Sequence, residues 1–134
     1  MAGLRRSFLS TAAAAPSPDL ALSNARTDET IASEIELAST RAERRRGLLG
    51  RDGLGVASAL IIAPCCAVHT VGMRFAIDVI FVDRGGRVIR TASSVPPWRM
   101  AIAPRAYAAI EMAAGSVASR GVNVGDALVV ARRL

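Results

Sequence analysis

Cys65, His69 and Met73 are spaced four residues apart, and Arg74 and Asp78 follow within a few positions. On one helical face, a thiolate, an imidazole and a thioether would make a soft donor set for copper(I), or for zinc if a carboxylate joined them. The same residues allow a second chemistry, with Cys65 as nucleophile, His69 as its base and Asp78 orienting the base. A third reading needs no reaction. If His69, Thr70, Met73, Arg74, Asp78 and Glu111 converge at one mouth of a sheet, they form a small charged pocket for an anionic or zwitterionic ligand.

The local sequence weighs against the first two. Pro64, Gly72 and the β-branched neighbours make residues 64 to 73 extended or looped, so helical alignment of the three donors is not expected. The apolar surroundings of Cys65 would raise its pKa, the wrong direction for a nucleophile. Glycine-rich phosphate loops, paired catalytic carboxylates and serine elbow motifs are absent from the chain. Asp78 lies inside the apolar run Ile77 to Val82, where an unpaired carboxylate would cost several kcal/mol, so it requires Arg74, His69 or backbone donors. Glu111, between Ile110 and Met112, raises the same demand, with Arg74 or Arg99 as its expected cross-strand partner. The residues favour a small, soluble, non-enzymatic accessory or ligand-binding domain, with a copper- or zinc-binding or redox module built on Cys65, His69 and Met73 as the alternative.

The elements that must position these groups are short. Ser33 to Ala38 alternates polar and apolar residues, the period of a half-buried strand. Thr40 with Glu43 three residues on reads as a capping box that opens a short helix running to Gly50, with Leu48 and Leu49 inward. Ala57 to Ala63, Ile77 to Val82, Arg87 to Thr91, Ala106 to Met112 and Ala127 to Ala131 read as strands. Asp83-Arg84-Gly85-Gly86 is a hairpin turn. Pro96 to Arg99 is an extended loop, Gly115 to Gly121 a helical turn, and Asn123 to Asp126 a turn. The expected class is α+β, mostly β: a small curled antiparallel sheet or partly open barrel with one or two short helices. Only the segment after Thr40 is long enough to serve as a parallel crossover.

With 134 residues and 51% hydrophobic content, the chain suits one domain with one core, expected over residues 31–134. Residues 1–30, rich in Ala, Ser and Pro, read as a disordered leader or tail. All 17 basic residues are arginine and the net charge is +6, a balance that could favour phosphate backbones or anionic membranes. Four arginines fall within Arg41 to Arg46, a pattern usual for a solvated helix face. Trp98 and Tyr107 stand apart, so no basic stripe interleaved with aromatics points to nucleic acid. The partner expected is a protein or a small anionic ligand. The longest apolar run, Ala57 to Val68, is too short to span a bilayer. Adjacent Cys65 and Cys66 cannot close an ordinary disulfide, which fits a cytoplasmic setting. Against this, Arg5-Arg6-Ser7-Phe8-Leu9 resembles a twin-arginine export signal, followed by an apolar region that Pro16 and Pro18 cut short.

Several segments together resemble one family. Thr40, Glu43, Arg44, Gly47, Leu48 and Arg51 match the helix signature of the domain of unknown function 192 family. Met73, Ile77, Asp78, Phe81, Asp83 and Gly86 match its central pattern. Ile110-Glu111 with Ala114-Gly115, and then Gly125-Asp126, match its later elements, so the resemblance runs over about residues 33 to 131 in the expected order. It implies a compact β-rich domain and no established activity. Two features depart from the pattern: Val71-Gly72 precedes Met73 where the family often has an aromatic, as in a histidine-bearing branch, and Ala113 replaces the usual proline after the glutamate.

Overall fold

The structure, a computed structural model, describes residues 8–9 and 19–132. Along the chain come β1 (Leu20–Asn24), β2 (Glu29–Ala32), β3 (Glu34–Ala38), α1 (Arg41–Arg46), β4 (Ser58–Ile62), β5 (Ala67–His69) and β6 (Ile77–Val82). They are followed by β7 (Val88–Val95), β8 (Met100–Ile102), β9 (Ala108–Ala113), α2 (Ser116–Ser119) and β10 (Leu128–Arg132). The strands form a five-stranded sheet in the order β3-β4-β9-β6-β7, a three-stranded sheet β10-β1-β2 and a two-stranded ribbon β5-β8. The mostly β class with two short helices is as the sequence indicates, and the described sheets do not close into a barrel.

The five-stranded sheet is covered on both faces, which explains why all six residues of β6 are buried and why its sequence is nearly unbroken apolar. Ile80 and Val82 join a core with Leu22, Ile31, Ile110, Met112 and Leu128, beneath the three-stranded sheet. Ile77, Val79 and Phe81 join a second core with Leu48, Leu60, Val68, Met73 and Ala101, beneath the ribbon and the turn after α1. The capping box at the start of α1 is present, with the Thr40 side chain accepting from the Glu43 N–H and the Glu43 carboxylate accepting from the Thr40 N–H. That bond holds the Glu43 carboxyl below its ordinary pKa. The crossover after Thr40 does make one parallel pair, β3 with β4.

The boundary expected near Ile31 shifts. Of the segment read as a leader, β1 pairs with β10 from Leu20↔Arg132 to Asn24↔Leu128 and turns into β2. Leu20, Leu22 and Ile31 bury against the first core, and three inward apolar side chains on short strands leave little periodicity to read. The turns at this end are tied by Asp126, which accepts from Asn24 Nδ2 at 2.8 Å, Arg26 Nε at 2.6 Å and the Asn123 N–H at 2.8 Å. The Arg26 bond holds the Asp126 carboxyl well below the usual carboxylate range. Phe8 is buried in the same core, and its N–H donates to the Arg84 carbonyl at 2.6 Å. Arg5 and Arg6 lie outside the described residues. Among the described residues no helix is long and apolar enough to cross a membrane.

Gly86 joins the β6–β7 hairpin to β10. Its φ is +87°, its carbonyl accepts from the Leu128 N–H at 2.8 Å, and a Cβ there would stand 2.4 Å from the Leu128 carbonyl oxygen. Strained backbone and a collision with backbone rather than a flexible side chain coincide, so Gly86→Ala should lower stability by about 2–3 kcal/mol. Urea denaturation would read this, and a loss below about 0.5 kcal/mol, the range of ordinary surface substitutions, would mean the close approach is not made in solution.

Candidate functional site

Strand register separates the two buried acids. Glu111 stands opposite Val79 on β6 and Leu60 on β4, and so shares the face that carries the second core. Asp78 stands opposite Met112 and faces the first core. The expected gathering of both carboxyls in one hollow therefore does not occur. A strand that alternates sides every residue cannot bring these two together.

Asp78 is fully satisfied by backbone. Its Oδ1 accepts from the Ser94 N–H and its Oδ2 from the Val117 N–H, both at 2.8 Å, tying β7 and the first turn of α2 to β6. Thr70, also fully buried, is a clamp: its Oγ1 donates to the Pro96 carbonyl at 2.6 Å and accepts from the Arg99 N–H at 2.9 Å. Arg74 reaches outward to Asp52 at 2.6 Å, an exposed pair. Neither Asp78 nor Arg74 is available to the catalytic or charged-pocket arrangements that the sequence allowed.

His69, Met73, Cys65 and Glu111 do come together. They line a hollow of about 50 Å³ with Arg44, Arg45 and Arg46 of α1, Leu48 and Val68. β5 carries His69 as an exposed residue opposite Met100, whereas Met73 is buried in the second core. Glu111 is only 3% exposed, and its Oε2 has no hydrogen-bond partner among the described residues. Burial pushes its carboxyl up to about 7, with Arg51 acting weakly in the opposite direction. The expected pairing with Arg74 or Arg99 is absent: Arg74 is held by Asp52, and the Arg99 guanidinium donates to the Trp98 carbonyl.

The soft-metal arrangement is not supported. Burial pushes the Cys65 thiol above its ordinary pKa, and its Sγ contacts the Ala67 carbonyl at 3.2 Å. Among the described residues no three His, Cys, Asp or Glu side chains are grouped so as to hold a metal ion. Copper or zinc binding through Cys65, His69 and Met73 would require a deprotonated thiol where burial favours the protonated one, and zinc would need a fourth ligand besides.

Sequence reasoning missed the α1 wall of the hollow. The α1 arginines form the solvated face that the sequence indicates, Arg45 and Arg46 being exposed, but together with the buried Leu48 they also line the hollow. The signal was available in the resemblance itself, because Arg44 belongs to the same short signature as the cap.

The family model described as DUF192, an uncharacterised family, matches residues 22–130. No curated protein matches the chain. Two solved structures are similar: a protein of unknown function from Novosphingobium aromaticivorans, at 25% identity and TM-score 0.71 over 81% of each chain, and a Sinorhizobium meliloti protein described as a candidate transcription regulator. The second has 19% identity and TM-score 0.71 over 83% of this chain and 91% of that one, a likeness of fold alone.

The raised Glu111 pKa makes stability pH-dependent with a definite sign. The folded state holds the proton up to about pH 7, whereas the unfolded chain releases it near the ordinary glutamate value, so stability is full below the unfolded pKa and falls as pH rises through 7. Wild type should lose about 2–3 kcal/mol between pH 5 and pH 8 on this account, and Glu111→Gln should remove that part of the slope. Urea titrations at the two pH values check it; equal slopes in both proteins would place the carboxyl in contact with water.

Proposed function

This chain belongs to the domain of unknown function 192 family, and from that premise we propose that it is an accessory domain that binds a small zwitterionic or anionic ligand at the Glu111 hollow without transforming it. The single observation that carries the reading is the unpartnered, buried Oε2 of Glu111 on the wall of a hollow rimmed by arginines. A buried carboxyl without a donor is costly, and a ligand that brings one recovers the loss. The hollow has room for a few waters or a head group of that size, so an ammonium or hydroxyl would enter it. The anionic part of the ligand would stay outside, where Arg44, Arg45 and Arg46 supply the complementary charge.

The absence of a reactive arrangement supports a binding role over an enzymatic one. His69 has neither Asp78 nor another acid as an orienting partner among its described hydrogen bonds, and the Cys65 thiol is shifted toward the protonated form. Two free cysteines fit a cytoplasmic protein. The likeness to a candidate transcription regulator is one of fold alone and adds no support for nucleic acid.

Thermal-shift titration with α-amino acids, ω-amino acids, simple carboxylates and inorganic phosphate tests the proposal. At a ligand concentration of 100 Kd, stabilisation of about 2.7 kcal/mol is expected. Glu111→Gln and Arg44→Ala should each weaken that ligand by about tenfold or more, the equivalent of one lost charge-assisted hydrogen bond. Stabilisation by none of the probes, or equal stabilisation of Glu111→Gln, would sink the reading.

A further inference from the structure

We infer that the β5–β8 ribbon docks on an anionic membrane surface, with Trp98, Met100 and Ile102 entering the interface and arginines meeting the lipid phosphates. In the ribbon, Ala67 pairs with Ile102, Val68 with Ala101 and His69 with Met100. Val68 and Ala101 are buried in the second core, so the alternating positions face outward. Met100 is 62% exposed and Ile102 43%. Just beyond the strand ends, Trp98 is 65% exposed and Val71 46%. An apolar face of this kind on an edge ribbon calls for an occupant.

The loop that presents Trp98 is held there at a cost. Trp98 has a φ of +66°, an unfavourable conformation for a bulky residue. The Thr70 clamp described above fixes both sides of it, and the Trp98 N–H donates to the Thr70 carbonyl at 3.0 Å. Strain and a buried threonine thus keep a large ring in water, where the fold gains nothing from it.

Charge identifies the occupant. Residues 65–76 and 96–106 contain Arg74, Arg99 and Arg105 and no Asp or Glu. Arg90 on neighbouring β7 donates to the Ile102 carbonyl, and Arg44, Arg45 and Arg46 share a hollow with Ala67, Val68 and His69. The acids of the adjoining elements are engaged or hidden: Glu43 in the capping box, Asp52 with Arg74 and Glu111 on the wall of the hollow. A tryptophan with aliphatic neighbours, in segments that carry Arg99 and Arg105 with no acid of their own, matches the apolar boundary and negative headgroups of a lipid surface.

The chain has one tryptophan, so its fluorescence reports on Trp98 alone. The full chain should float with vesicles of phosphatidylcholine containing about 30% phosphatidylglycerol and not with phosphatidylcholine alone, with a blue shift in emission on binding. Trp98→Ala and the double variant Met100→Ser/Ile102→Ser should each lower partitioning by about tenfold or more while circular dichroism stays that of wild type, and Arg99→Glu should act in the same direction. Failure to float with the anionic vesicles overturns the inference. So does flotation without a fluorescence shift or unaffected by the apolar variants, which is adsorption by charge alone. A blue shift without vesicles that grows with protein concentration, together with a dimer in sedimentation, would assign the face to a second copy of the chain instead.

Discussion

The constraint on which this structure depends is that β6 and β9 are buried on both faces, so any polar side chain on them must find its partner within the protein. Asp78 and Glu111 occupy the same kind of position on adjacent strands and meet it differently. Asp78 faces the three-stranded sheet, where the bend at Ser94 and the first turn of α2 each bring a free N–H within 2.8 Å. Glu111 faces the other core, which is built of apolar side chains, and lies on the wall of the small hollow beside α1. One carboxylate becomes a fastener; the other is left to solvent, to a proton or to a ligand.

The parts of the fold set by short-range chemistry were legible from the sequence. The capping box at Thr40, the glycine turn after Asp83, and the apolar stretches at β4 and β6 depend on residues close together in the chain, and each is found where the sequence places it. The first strand was hidden because its identity depends on a partner more than 100 residues away: Leu20–Asn24 is a strand because β10 lies beside it, and β2 in turn pairs, among the described strands, only with β1. The same distance effect conceals the candidate site. That Glu111 lines a hollow with His69 and Asp78 does not is a matter of register between β6 and β9, which a one-residue slip would reverse and which no local pattern encodes.

Residues singled out for chemistry can still be important without reacting. Thr70 was grouped with ligand-contacting side chains, yet its hydroxyl is spent on Pro96 and Arg99, and its effect is on the shape of the loop that follows β7. Met73 carries a potential metal ligand but packs in the second core with Leu48 and Val68, and so helps support the wall of the hollow. Both are cases in which a polar or soft side chain stabilises the geometry around a site.

The arginines give the strongest reason to regard the unpartnered Glu111 as a feature of the site rather than a flaw in packing. A chain with 17 arginines could readily place one against a buried glutamate. Arg51, whose charge is felt at Glu111, is bonded at 2.8 Å to Glu36 on the outside of β3. Arg44, on the wall of the hollow, donates to the Ser39 carbonyl, and Arg74 is drawn away by Asp52. Three cations are thus committed to other acceptors, while the carboxyl that would benefit most from one is buried without it. Their commitment elsewhere leaves the acid without a cationic partner, so that burial raises its pKa to about 7, the condition on which the proposed binding role rests.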